Sequence, residues 1–341
     1  MRSDTSGPHN RRGGCLNGSD CALCAGSKRD RYSFAQWVLR QLPPIAAFRP
    51  ALALLANRKV SEDDPWTVRM LSGYLYTADT RGDLVLDMVR VAGFWDWKGL
   101  AVAAIFCRPG DGIVEIGAHA GTETIGFASI VGPRGKVTAF EPGIALCETI
   151  RTNVRLNKLS HVDVRCSAIG DRQGMTAFMS ADAKNSGSSF VSDESTGQTV
   201  PITTLDAEAH GIGKAALLFI DVEGFEVRVL RGASRYLAEH RPAMVLEAYG
   251  VALERAGTSL QELVTELHTQ RYEIFRVARL GVRPLCDRFA APEVSENWLC
   301  LPCERSGESA LVSATLRRYA FSPSAFGQHP IARKARAAAR A

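Results

Sequence analysis

Four stretches of the sequence place side chains with chemical potential at the ends of short apolar runs. The first is Val114-Glu115-Ile116-Gly117-Ala118-His119-Ala120-Gly121. Its two glycines, four apart, permit a tight strand-to-helix turn, close approach of the backbone to a ligand, and free helix N–H groups facing an anion. A dinucleotide fingerprint would read G-x-G-x-x-G, and His119 stands where its middle glycine belongs. The second stretch is Phe140-Glu141-Pro142, with Glu141 placed 24 residues after Gly117. An acid there can accept hydrogen bonds from both hydroxyls of an adenosine ribose, a role shared by proteins that bind NAD and those that bind S-adenosyl-L-methionine. Glu115 separates the two: a carboxylate in the first strand suits the ammonium at the methionine end of S-adenosyl-L-methionine, which a nicotinamide dinucleotide lacks.

The other two stretches are Phe219-Ile220-Asp221-Val222-Glu223-Gly224-Phe225-Glu226 and Leu246-Glu247-Ala248-Tyr249. Alternation along an extended strand end directs Asp221 and Glu223 to one side. Glu247 joins them at the same sheet edge. Three carboxylates around one crevice could hold a metal, bind sugar-like hydroxyls or accept a proton from a nucleophilic hydroxyl. Hydroxyl recognition or base work is preferred, and no metal is expected. The third run leads into Ser167-Ala168, where a small polar residue could lie against an adenine edge.

These residues need a scaffold, and the pattern from Gly112 onward supplies one. Apolar runs at 113–116, 136–140, 162–166, 216–220 and 243–246 alternate with helical stretches at 122–131, 144–156, 225–239 and 259–270, which predicts βαβ units and a parallel sheet. Two final strands fall at 272–277 and 298–301, and the Ser/Thr-rich segment 175–203 reads as a hairpin insertion. In such a sheet ligands bind beyond the carboxyl ends of the strands, where the winding reverses. Before it, Trp66–Tyr76 and Asp83–Phe106 read as helical, giving residues 32–108 as an N-terminal helical cap. Trp95 and Trp97 lie in that cap. Residues 1–31 read as a disordered arm, 109–303 as the main domain and 304–341 as a disordered basic C-terminal tail.

The composition, 46% hydrophobic and 23% charged over 341 residues, is that of a globular protein and excludes collagen, coiled coil and wholly disordered chains. No apolar run approaches the roughly 18 residues of a spanning helix, and no signal peptide is visible, so a cytoplasmic protein without a membrane span is expected. The net charge of +5 resides at the ends: residues 311–341 carry six basic and no acidic side chains, and residues 1–31 six basic and three acidic. The body is therefore acidic, and no nucleic-acid partner is expected. Nine cysteines, with Cys107, Cys147 and Cys166 in apolar segments, suggest reduced thiols. Cys21 and Cys24, preceded by Cys15, and Cys300 and Cys303 have metal-like spacing, but a shared zinc site would require the two ends of the chain to meet.

With these motifs in order, the sequence resembles the FkbM-type S-adenosylmethionine-dependent methyltransferases over about residues 85–280. The resemblance rests on 114–121, Ala139-Phe140-Glu141-Pro142, Asn153-Val154-Arg155-Leu156-Asn157, Ser186-Gly187-Ser188-Ser189, Thr204-Leu205-Asp206, 219–226, Arg231-Gly232-Ala233 and Leu246-Glu247. It implies a class I methyltransferase (Rossmann-like) α/β fold, with a seven-stranded, mostly parallel sheet and the cofactor over the first two strands. The family typically carries Asn at the position of His119. The implied reaction is O-methylation of a hydroxyl on a sugar, glycan or secondary metabolite. The residues expected to hold S-adenosyl-L-methionine are Glu115, Gly117, Ala118, His119, Gly121, Glu141, Pro142, Ser167 and Ala168. Asp221 and Glu223 are the expected catalytic residues, and Glu247 and Ser188 the expected acceptor contacts. The alternatives are an NAD-dependent sugar oxidoreductase, against which Glu115 and the missing glycine speak, a catalytically inactive adenosyl-ligand-binding module, and an RNA methyltransferase anchored by the basic tails.

Overall fold

The computed structural model describes residues 38, 42, 65–79, 83–180, 186–192, 197–285, 295–322 and 330–340. The expected arm 1–31, with Cys15, Cys21 and Cys24, lies outside them. The first described elements are not helical. Trp66–Arg69 (β1) and Leu75–Ala78 (β2) pair antiparallel, where Trp66–Tyr76 reads as a helix in the sequence. The alternation of Trp66, Val68 and then Tyr76, Ala78 as buried positions is that of strands, and Gly73, at φ 93°, makes the turn. Two helices follow as expected, α1 (Leu84–Ala92) and α2 (Trp97–Phe106), capped by Asp83 and Asp96. The region before the sheet is thus a hairpin and two helices among the described residues, rather than a helical cap.

The main sheet has eight strands, not seven. It is built from β3 (Gly112–Ile116), β4 (Lys136–Phe140), β5 (Val162–Arg165), β10 (Leu217–Ile220), β11 (Ala243–Ala248), β12 (Tyr272–Ala278), β13 (Gly281–Pro284) and β14 (Glu296–Pro302) in the order β13-β12-β14-β11-β10-β3-β4-β5. Strands β11, β10, β3, β4 and β5 run parallel, while β14 lies antiparallel between β11 and β12. The extra strand, β13, hairpins back on β12. The winding reverses between β3 and β10, so the crevice expected from the sequence opens there.

Period-two alternation divides the core between the two sheet faces. Ile113, Leu217, Phe219 and Val245 pack on the side of α1, α2 and α3 (Thr122–Val131). Val114, Ile116, Leu218, Ile220, Met244 and Leu246 pack on the other, against α6 (Glu226–Arg231), α7 (Ser234–His240) and α9 (Leu260–Thr269). The insertion forms its own sheet, β6 (Ala168–Ile169), β9 (Gln198–Thr203), β7 (Gly174–Met179) and β8 (Phe190–Ser192), in that spatial order.

The edge of the hairpin is satisfied by side chains. On α4 (Ile144–Leu156), Asn153 and the following Asn157 present their amides to β2. Thr77 N donates to Asn153 Oδ1 at 2.7 Å and Leu75 N to Asn157 Oδ1 at 2.9 Å, while the two Nδ2 groups donate back to Thr77 O and Leu75 O at 2.9 and 2.7 Å. Spacing of four on the helix matches spacing of two on the strand, so the amides replace a strand partner.

Two further expectations change. Residues 309–320 and 330–340, read as part of a disordered basic tail, are helices. Val312, Leu316, Ile331 and Ala338 are fully buried, and Lys334 Nζ donates to the carbonyls of Ala104 and Cys107 at the end of α2. The apolar residues at helical spacing outweigh the repulsion of the basic ones, of which Arg317, Arg318 and Arg333 face solvent. Cys147 and Cys166, expected to be reduced, are joined by a disulfide with a Cα separation of 6.1 Å. Among the described residues no helix is long and apolar enough to cross a membrane.

Candidate functional site

The ends of β3 and β10 meet so closely that only glycine fits between them. Asp221 N donates to Ile116 O at 2.9 Å, and Gly117, at φ 86°, lies against the Asp221 carbonyl. Gly117 N and Ala118 N both donate to Phe140 O, which ties the turn to the end of β4 as well. Glu141, one residue further, accepts from His119 N on Oε2 and from Gly143 N on Oε1, each at 2.8 Å. Burial lifts its carboxyl to about 7 against the pull of those two donors. Glu115, 1% exposed, accepts from the Thr124 hydroxyl and is pushed well above the usual carboxylate range, first by burial.

On the other side of the turn, Asp221, Glu223 and Glu247 each bring a carboxylate oxygen within 4.8 Å of the others. All three are partly open to the cavity. Asp221 is raised by burial and then by Glu247, Glu223, Glu226 and Glu123, and Glu223 is raised to about 7 by burial and Glu247, with Arg255 opposing. Glu247 is raised by burial. Glu223 holds φ 52°, uncommon for a residue with a side chain, and the Arg255 guanidinium donates to its carbonyl at 2.7 Å. Behind the cluster, Glu226 stays buried as a brace, accepting from Val222 N and Gly224 N at 3.3 and 3.2 Å. The oxygen spacing suits shared protons, hydroxyl hydrogen bonds or one divalent cation.

One cavity of about 1060 Å³ joins the two sides. It is lined by Glu115, Gly117, Ala118, His119, Glu141, Pro142, Ser167 and Ala168, and also by Asp221, Glu223 and Glu247. Two expected residues are not on its wall. Gly121 starts α3, where a Cβ would lie 2.9 Å from Ile150, so its role is to let two helices approach. Ser188 is replaced at the wall by Ser186 and Gly187 of the same short 3-10 turn and by Ser189, which follows it. Of the two cap tryptophans, Trp97 is buried, whereas Trp95 is 42% exposed and lines the cavity with Leu84 and Met88.

Several wall residues escape the sequence reading. Glu123 is lifted to about 7, by burial first, and Lys98 and Arg283 contribute cations. Asn297 donates to Asp96 at 2.9 Å and pairs in register with Glu247, tying α2 to the acidic cluster. Asp96 was detectable only as a helix cap, and nothing in the sequence connects it with Asn297.

Residues 115–274 match the family model described as the methyltransferase FkbM domain. None of the curated proteins compared with the chain matches it. Among solved structures, similarity extends to a methyltransferase FkbM from Methylobacillus flagellatus KT, at 15% identity and a TM-score of 0.40, over 78% of this chain and 58% of that one. The chain thus spans less than two thirds of that relative. A precorrin-6y C5,15-methyltransferase from Geobacter metallireducens GS-15 is 12% identical, with a TM-score of 0.37, over 61% of this chain and 88% of the other. Fibrillarin from Aeropyrum pernix, natively bound to S-adenosyl-L-methionine, is 17% identical with a TM-score of 0.37, over 71% and 97%. The family match thus makes residues 115–274 of this chain similar to the methyltransferase FkbM domain.

Proposed function

We propose that the protein is an S-adenosyl-L-methionine-dependent O-methyltransferase acting on a hydroxyl of a sugar, glycan or secondary metabolite. The observation that carries this reading is the single cavity in which Glu115 and Glu141 stand on one side of the β3 turn and Asp221, Glu223 and Glu247 on the other. The donor set fits the cofactor. Each oxygen of Glu141 takes one backbone N–H, and its remaining lone pairs suit the two ribose hydroxyls. Glu115 is a buried carboxylate that a cationic ligand group would stabilise. A volume near 1060 Å³ accommodates a nucleoside-sized ligand and an acceptor together.

The bound cofactor supplies an electrophilic methyl group. The chain's own residues orient the partners and move one proton. Gly117 and Ala118 bring the backbone close to the ligand, and Ser167 and Ala168 border the base. Asp221, whose backbone N–H donates to Ile116 O, would stand beside the transferred methyl. Glu223 contacts the acceptor hydroxyl and takes its proton, for which a carboxyl raised to about 7 is well matched at neutral pH. Glu247 orients the acceptor, and the exposed face of Trp95 offers an apolar platform for it. Most of the rate gain then comes from alignment.

Calorimetric titration with S-adenosylmethionine, S-adenosylhomocysteine and NAD, repeated on Glu141→Ala, tests the cofactor. Binding of the two adenosyl ligands and not NAD, lost in the variant, is expected. Binding of NAD alone would favour an oxidoreductase, and binding of adenosyl ligands without methyl transfer to any hydroxyl acceptor would favour an inactive module.

A further inference from the structure

Asp83, Ser186 and His119 come from three separate segments and form a continuous hydrogen-bond chain at the cavity wall. Asp83, fully buried, caps α1 by accepting from Leu86 N on Oδ1 at 2.9 Å. Its Oδ2 accepts from Ser186 N at 2.8 Å and from the Ser186 hydroxyl at 2.6 Å. Ser186 Oγ in turn lies 2.6 Å from His119 Nε2. The serine has a single hydroxyl hydrogen, and a carboxylate can only accept, so that hydrogen is committed to Asp83. His119 Nε2 must therefore carry a hydrogen and donate it to Ser186.

The rest of the histidine is equally constrained. Its backbone N–H donates to Glu141, and its φ of 50° is held by the surrounding bonds. Burial pushes the imidazole below its usual pKa, with Asp83 opposing, which leaves the ring neutral at physiological pH. Asp83 at the start of α1 and Glu141 at the end of β4 are the charged groups around it, Glu115 and Glu123 share its cavity, and residues 186–192 supply no titratable side chain. With Nε2 protonated, Nδ1 is a bare acceptor. Among the described residues no protein donor reaches it, although the ring lines the cavity.

We infer that Asp83 and Ser186 are positioning residues that lock His119 in its Nε2–H tautomer, so that Nδ1 accepts a hydrogen bond from the protonated amine of the bound ligand. The ligand half of this inference rests on the adenosyl cofactor proposed above. The tautomer half does not. The arrangement differs from a catalytic triad, because the aspartate holds the serine rather than the histidine and the serine proton points away from the ring.

The test has two readouts. Long-range proton–nitrogen correlation spectra of protein labelled with nitrogen-15 histidine should show His119 as the Nε2–H tautomer at pH 7.5, with that preference lost in Ser186→Ala and restored in Ser186→Thr. In parallel, Ser186→Ala should weaken S-adenosylhomocysteine by about 10-fold, the effect of one charged hydrogen bond. It should leave 5′-methylthioadenosine, which has no amine, within about 2-fold, and Ser186→Thr should recover the loss. Wild-type affinity for S-adenosylhomocysteine should fall as acid protonates Nδ1. An Nδ1–H tautomer in the wild type, or equal weakening of both ligands, would overturn the inference. Should wild-type protein bind neither adenosine compound, the ligand assignment falls together with the proposed function, while the spectra still decide the tautomer.

Discussion

A Cβ placed on Gly117 would lie 1.7 Å from the carbonyl oxygen of Asp221, nearer than any non-bonded pair tolerates. The turn that receives the cofactor in the proposed reading and the strand end that carries the proposed catalytic acid are therefore one contact. Gly117→Ala meets both that clash and a left-handed φ, so it should lower stability by about 3 kcal/mol. A denaturant midpoint indistinguishable from wild type would show that the two strand ends can separate freely.

Asp221→Asn keeps the shape of the side chain and its backbone tie to Ile116 while removing the charge. On the proposed mechanism it should reduce kcat by about 10²-fold or more and leave S-adenosylhomocysteine affinity within about 3-fold. Full turnover in this variant, measured by transfer of labelled methyl, would remove Asp221 from the reaction.

The acidic cluster also fixes a pH dependence. A carboxyl accepts the acceptor proton only when ionised, and Glu223 is raised to about 7 by burial and by Glu247. Turnover should accordingly rise about tenfold per unit on the acid side and level off above pH 7, as an apparent property of the coupled cluster. A kcat profile flat from pH 5.5 to 8.5 would show that no carboxylate does this work.

Glu226 gives a stability counterpart with a defined sign. Its folded pKa, about 7, lies above the ordinary glutamate value because it is buried. The folded state thus prefers the protonated form. Its contribution is fully present below about pH 4.5 and is lost as pH rises through 7, a change of up to about 3 kcal/mol. Glu226→Gln retains an oxygen for Val222 N and Gly224 N, and should melt higher than wild type at pH 8 but not at pH 5.

Asn153 is fully buried and joins Thr77 N, Thr77 O and Thr149 O. Asn153→Ala strands the two β2 groups and should cost about 2 kcal/mol, with hydrogen exchange at Thr77 accelerating more than in the central strands. Uniform acceleration would mean that the hairpin and the sheet open together.

Much of this arrangement could be read along the sequence where a single element decides it. The bounds of β4, α3 and α4 coincide with those expected, because each is a run with one clear period ended by glycine or a polar turn. Glu115, Glu141, Asp221 and Glu247 could be placed at one sheet edge for the same reason. What failed was set by partners remote in sequence. Trp66–Tyr76 contains enough apolar residues for a helix, and only its pairing across Gly73 and the amides of α4 makes it a hairpin. Gly281–Pro284 is too short to show alternation. The C-terminal helices were hidden by their charge, since burial of Leu316 and Ile331 depends on a groove made elsewhere. Asp83 and Ser186 are 103 residues apart, and no spacing rule connects a helix cap to a serine in an insertion.

The neighbouring positions of β3 and β10 also set the order in which this protein can come into being. Everything between them, including three helices and the whole insertion, must be synthesised before Leu217–Ile220 can lie beside Ile113–Ile116. A nascent chain released at residue 200 would possess Glu115, Glu141 and His119 and yet have no wall opposite them. Closing so long a loop carries a large entropic cost before any contact offsets it, which places the central pairing late in folding. The capacity to recognise a ligand should therefore emerge in one step near the end, and ligand present during refolding should slow unfolding without hastening collapse.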